Sequence, residues 1–183
     1  MNVKTDLRKF NNSWYKPGSV VARVIWYCIQ AAFFRSAFPF SAFKVLLLRL
    51  FGAKVGSGVV IKPHVRIKYP WRLSIGDHSW IGEDVWIDNL GKVSIGSNCC
   101  LSQGAFILCG NHDYSKQTFD LMVGDITLEE GVWLGARSIV CPGVTCRSHA
   151  VLNAGSVATK DLEAYGIYKG NPAERVKERT ISQ

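Results

Sequence analysis

From Val55 to Ala164 an aliphatic or small side chain returns every six positions. One run is Val55, Ile61, Ile67 and Leu73; the next is Ile75, Ile81, Ile87 and Val93; then come Ile95, Leu101 and Ile107. After an interruption the series resumes as Leu128, Leu134, Val140, Cys146, Leu152, Ala158 and Ala164. Period six is neither the 3.6 of a helix nor the plain alternation of a half-buried strand. It suits a coil with three flat sides, each side one short strand and one corner. Stacked coils lie about 4.8 Å apart, the ordinary spacing of paired strands. The aliphatic side chains then form inward ladders. A second set of small or branched residues often sits four later (Val59, Val65, Ser79, Val85, Cys99, Ala105, Ser138, Val144, Ala150, Ser156), and glycines and small polar residues take the corners. A sandwich fits less well, because its strands recur every ~8–12 residues with turn signals between them.

The spacing also locates an insertion. Leu73-Ser74-Ile75, Val93-Ser94-Ile95 and Ile126-Thr127-Leu128 each carry two extra residues at one corner, which makes early coils 20 residues long and later ones 18. At that corner Ile67 to Leu73 and Ile87 to Val93 are six apart, whereas Ile107 to Ile126 is nineteen. The excess of 13 residues is assigned to a loop at 113–125, directly after His112. Loops on a rigid scaffold commonly carry function. In this reading His112 is the last residue held by the coil, in one column with Arg72 and Lys92. Two such cations would disfavour imidazolium.

The net charge of +8 and the pI near 9.3 point to an anionic partner: nucleic acid, a phosphate-bearing cofactor or an acidic membrane surface. No nucleic-acid motif occurs and the basic residues are scattered, so nucleic acid is set aside. The six cysteines form no CxxC and no Cys/His zinc spacing. They read as reduced, small apolar fillers in a cytoplasmic chain, and the polar first 18 residues lack the apolar run of a signal peptide. Residues 1–54 precede the repeat and read as two helices separated by Pro39. Their longest uncharged stretch, between Arg23 and Arg35, is 11 residues, short of the ~20 that span a bilayer. Two readings stay open for this segment. It caps the open end of the coil stack, or residues 14–51 lie against a membrane surface, peripheral to its inner face.

Several motifs carry a family resemblance: "CGNHDY", "VWLGARSIVCPGVTC", "NAGSVATKDL", "GNPAERVK", and the lead-ins "LLLRLFGAKVG" and "YPWRLSIGD". The chain resembles the hexapeptide-repeat acetyltransferases, the galactoside, maltose and serine O-acetyltransferase group. Within it the chain is similar to the acetyltransferases of colanic acid and exopolysaccharide biosynthesis. The resemblance implies an all-β, left-handed parallel β-helix over 55–169, followed by a basic tail at 170–183. It implies a homotrimer with sites between adjacent prisms, acetyl-CoA as co-substrate, no metal, and transfer to a sugar hydroxyl of a lipid- or nucleotide-linked saccharide. His112 takes the place of the general base. Trp133, Ala136, Ala154, Thr159, Lys160, Arg175 and Lys177 take the cofactor positions. Asn89, Asp113 and Tyr114 are placed at the acceptor. Where the family often has proline after the histidine, this chain has Asp113. The alternatives are N-acetylation of a nucleotide-linked amino sugar and a non-catalytic trimeric binding protein. A β-helix carbonic anhydrase, with two zinc-ligating histidines five apart, fits poorly because no such pair occurs.

Overall fold

Two- and three-residue strands alternate with tight corners along the whole repeat, and the chain winds into a parallel β-helix of about six turns. The computed structural model describes residues 3–182. The first face stacks Lys54–Val55, Leu73–Ile75, Val93–Ile95, Ile126–Leu128 and Thr145–Cys146. The second stacks Val60–Ile61, Trp80–Ile81, Cys100–Leu101, Trp133–Leu134, Val151–Leu152 and Gly166–Gly170. The third stacks Arg66–Ile67, Trp86–Asp88, Phe106–Leu108, Ile139–Val140 and Val157–Ala158.

The ladders follow from this register. On the second face Ile61, Ile81, Leu101, Leu134, Leu152 and Tyr168 pair in succession, and all are buried. Each such aliphatic side chain contributes about 1.5–3 kcal/mol by leaving water. The corners require a left-handed residue: His64, His78, Asp84, Asn98, Arg137 and His149 all have φ between 56° and 60°. Asn, Asp and His are the non-glycine types that enter this region most readily. The histidines other than His112 are therefore corner residues. At the last coil the predicted ladder fails. Ala164 is exposed, and Leu162, bridged to Cys146, takes the inward place, so the final turn is two residues shorter there.

The two helices of the leading segment are α1, Val20–Ile29, which continues as a π-helical turn Gln30–Phe34, and α2, Ser41–Leu50. They lie over the first coil, whose edge peptide groups have no coil beneath them. The helices supply the missing partners. Trp26 Nε1 donates to the Ile67 carbonyl at 2.7 Å, and Gln30 Oε1 accepts the Ile67 N–H at 2.6 Å. The Ser41 hydroxyl meets both the N–H and the C=O of Ile61 at 3.1 Å. The buried Lys44 ammonium donates to the Lys62 carbonyl at 2.9 Å, and Arg49 donates to Val55 and Gly56. An unpaired strand edge is thus covered group by group. Trp26, Phe34 and Leu48 join Ile61 and Ile67 in one hydrophobic cluster.

The opposite end corrects the expectation of a basic tail at 170–183. Ala173–Glu178 turns back antiparallel to Gly166–Gly170 and widens the second face. The strand gives the last coil a pairing partner that a free tail would not.

Candidate active site

The site is built where the third face passes to the first. In the preceding coil four residues, 89–92, make this corner; here 109–125 replace them. The chain leaves the prism as an antiparallel hairpin pairing Gly110–His112 with Leu121–Val123: Gly110 opposite Val123, Asn111 opposite Met122, His112 opposite Leu121. At Gly110 the Leu90 side chain packs directly over the backbone where the hairpin leaves. The extruded arm therefore begins before His112, and the expected boundary at 113 is three residues late. The 13 extra residues are real, but they belong to both arms of the hairpin. His112 rides on the hairpin rather than ending the coil.

Its imidazole is nonetheless fixed. Nδ1 lies 2.9 Å from the Phe119 carbonyl oxygen. The Phe119 ring stacks flat on it, with centroids 4.5 Å apart and planes 7° from parallel. Phe119 adopts φ of 51° to present both groups, an uncommon conformation for a bulky residue. A carbonyl only accepts, so Nδ1 carries the hydrogen, and in the neutral ring the lone pair then lies on Nε2. Phe10, from the N-terminal arm, adds a ring 5.6 Å from the imidazole. That arm is pinned to the hairpin tip: Asp6 N donates to Gln117 O, and Lys9 Nζ to Gln117 Oε1, both at 2.9 Å.

The column of Arg72, Lys92 and His112 does not form. Arg72 donates to the carbonyls of Leu90 and Lys16 and to the Tyr15 hydroxyl, tying the arm to the corner. Asn89 is also corrected. It is fully buried, with Oδ1 accepting from Tyr69 N at 2.9 Å and Nδ2 donating to Tyr69 O at 2.6 Å. Its amide is consumed by the backbone one coil below and does not face an acceptor. Asp113 sits at the hairpin tip, where its carboxylate accepts from Ser115 and lies 3.7 Å from Lys116. The Ser115 hydroxyl, first, holds that carboxyl below its ordinary range. Tyr114 is 85% exposed at the same tip.

A second concavity, of about 570 Å³, opens at the corner between the second and third faces. Trp133, Ala136 and Ala154 line it together with Gln103, Asn153 and Lys169. Gly135 lies on its floor, so close to the next coil that a Cβ would overlap Ala154 N. Small residues here leave backbone within reach of a bound chain. Trp133 Nε1 donates to Ser102 Oγ at 3.0 Å, which sets the indole against the groove. Thr159 and Lys160 are exposed on the hairpin's corner instead, and Arg175 pairs with Glu178 at 3.1 Å on the returning strand. Lys177 is exposed on that strand. The groove's own cation is Lys169, which sequence reasoning missed along with Phe10 and Phe119.

Known proteins fit this architecture. The family model described as "Hexapeptide repeat of succinyl-transferase" matches residues 72–109 and 125–160, on either side of the hairpin. WcaF of Escherichia coli (strain K12), a provisionally named colanic acid biosynthesis acetyltransferase, is 38% identical over 170 residues, covering 92% of this chain and 93% of its own. Among solved structures, the hexapeptide-repeat acetyltransferase VCA0836 of Vibrio cholerae O1 biovar eltor, complexed with acetyl-coenzyme A, superposes with a TM-score of 0.79. It is 21% identical and covers 89% of this chain and 91% of that one. A maltose O-acetyltransferase of Clostridium difficile 630 superposes with a TM-score of 0.77 at 21% identity, covering 98% and 100%.

Proposed function

The chain belongs to the hexapeptide-repeat acetyltransferases, acyltransferases that use acetyl-CoA, and from that premise we propose that it acetylates a saccharide hydroxyl in exopolysaccharide, capsule or O-antigen assembly. The observation that carries the mechanism is the contact of His112 Nδ1 with the Phe119 carbonyl oxygen. With Nδ1–H held by Phe119, Nε2 is the atom that takes the acceptor's proton. As it does so the hydroxyl oxygen attacks the thioester carbonyl. The C–S bond then breaks, and the departing thiolate takes the proton back from the imidazolium. General-base help of this kind is worth ~10²–10⁴-fold.

The hairpin and the groove stand on different corners of one prism, so a complete site joins the hairpin of one chain to the groove of its neighbour in a homotrimer. Trp133, Ala136, Ala154 and Lys169 hold the cofactor arm in this reading. Thr159, Lys160, Arg175 and Lys177 are left to reach its phosphates. Asp113 and Tyr114, at the tip beyond His112, face the acceptor. The polymer class rests on the 38% identity to WcaF over nearly the whole chain. The reading places the reaction in the cytoplasm, where acetyl-CoA is made.

The test is acetyl-CoA turnover with a panel of sugars, wild type against His112→Ala. Turnover should fall by ~10²–10⁴-fold with thermal stability unchanged. Equal turnover removes the mechanism. Mixing His112→Ala with Ala136→Trp subunits, the second filling the groove, should restore partial activity, since some mixed sites then carry one intact hairpin and one intact groove. No recovery on mixing would refute the shared site.

A further inference from the structure

Charge along this chain is segregated. Residues 7–76 contain twelve Lys and Arg and no Asp or Glu, while the remainder contains ten basic and fourteen acidic residues. A net charge of +8 hides this division. Nine of the twelve, Arg23 to Arg72, lie in the cap and the first coil, so that end of the prism is cationic; Arg8, Lys9 and Lys16 lie on the arm that runs to the hairpin.

The same end is apolar. The buried sides of α1 and α2 face the first coil, which turns their other sides outward along the prism axis. On α1, Val21, Val24 and Ile25 are exposed, and on α2, Phe43, Leu46 and Leu50, each between 38% and 71%. Spacings of three and four place each set on one helical stripe. Arg35 directly follows the helical turn that ends at Phe34, and Lys54 and Lys62 belong to the first coil under the helices; all three are exposed and have no carboxylate partner among the described residues. Apolar stripes with cations at the same end of the prism match the composition of helices that lie in a bilayer interface. Each helix is 10 residues, so it lies on a bilayer and does not cross it.

We propose that the cap end of the prism docks on an anionic lipid bilayer, with the outer sides of α1 and α2 at headgroup level and Arg35, Lys54 and Lys62 on the lipid phosphates. A second copy of this chain is the poorer occupant, because its cap would bring the same positive charge. Anionic headgroups over acyl chains complement both properties at once. This surface is independent of the acetyl-transfer site, which stands on the other coils.

The experiment is co-sedimentation of the full chain with vesicles of phosphatidylglycerol and phosphatidylcholine in equal parts, against phosphatidylcholine alone. Wild type should bind the anionic vesicles and release in about 1 M salt, where the Debye length is about 3 Å. The double variant Val24→Glu/Leu46→Glu, at exposed positions, should bind at least about tenfold more weakly, from charge repulsion and lost apolar contact. Its melting temperature and soluble acetyl-CoA turnover should stay at the wild-type level. Arg35→Glu, which leaves the apolar stripes intact, should weaken binding about fivefold or more at low salt. It also serves if the double variant does not fold. The proposal is overturned if wild type ignores anionic vesicles, or if folded variants bind as wild type does. It is equally overturned if the double variant loses oligomeric mass in light scattering while wild type fails to sediment, which assigns the face to a second copy.

Discussion

Trp26→Phe isolates what the cap does for the first coil. The indole is 2% exposed, and its Nε1–H is the hydrogen-bond donor to the Ile67 carbonyl, at 2.7 Å. Phenylalanine keeps an aromatic ring against Phe34 and Phe51, whose centroids lie 5.1 and 5.3 Å away. What is lost is the donor and part of the volume. Leaving a buried carbonyl unpaired costs about 1–3 kcal/mol. The vacated space, roughly 40 Å³, costs about 1 kcal/mol at ~24 cal/mol per Å³. Together these give about 2–4 kcal/mol, or about 4–16 °C in melting temperature at ~2–4 °C per kcal/mol for a chain of this size. Calorimetry at matched protein concentration reads it, with Trp14→Phe as the control: Trp14 is 56% exposed and should leave the transition unmoved. A Trp26→Phe protein melting within about 2 °C of wild type would refute the view that side chains of the cap satisfy the strand edge.

Three other outcomes are expected. Asn89→Ala should lower stability by about 2–6 kcal/mol, since both backbone groups of Tyr69 lose their partner, while the acceptor KM stays put; a raised KM with unchanged melting would return Asn89 to the acceptor site. Burial pushes the Lys44 ammonium below its ordinary pKa, so between that lowered value and the unfolded ~10.4 the unfolded chain binds more protons. Wild-type stability relative to Lys44→Met should therefore rise as pH climbs through that window, and denaturant titrations at about pH 8 and about pH 10 should show the gain. Burial also pushes Cys109 up to about 12 and Cys99 to about 11, and raises Cys146 as well. Cys28 is exposed, so a disulfide reagent should label it in the native protein and reach the other three only after unfolding; early labelling of Cys146 would contradict the buried ladder.

The period-six ladder was legible because every coil repeats one geometric problem: an inward side chain on each face and a tight bend between faces. Ile81 and Ile87 solve it in a form any window of the sequence displays. The hairpin was only half legible. Length shows that 13 residues are in excess, but cross-strand pairs such as Asn111 with Met122 have no period to betray where the excess begins. Asn89 shows a second limit. An amide that closes a backbone ring and one that grips a sugar are the same residue, and only burial separates them. That Trp133, Ala136 and Ala154 meet in one groove could be read because they keep the 18-residue register of the late coils. Lys169 lies past the coil that shortens by two, where that register no longer points.

The coil stack also acts as a ruler. On the third face Arg66, Trp86 and Phe106 stand on successive coils, and the hairpin that carries His112 leaves at the end of the strand that carries Phe106. At about 4.8 Å per coil, the hairpin's exit stands about 10 Å above the capped coil. Lengthening the chain by one coil below it would raise the hairpin by one more step and alter none of its contacts with Phe119. Height above the base is thus set in whole steps, separately from chemistry. The number of coils fixes how far from the capped end the His112 imidazole stands, and the hairpin fixes what surrounds it.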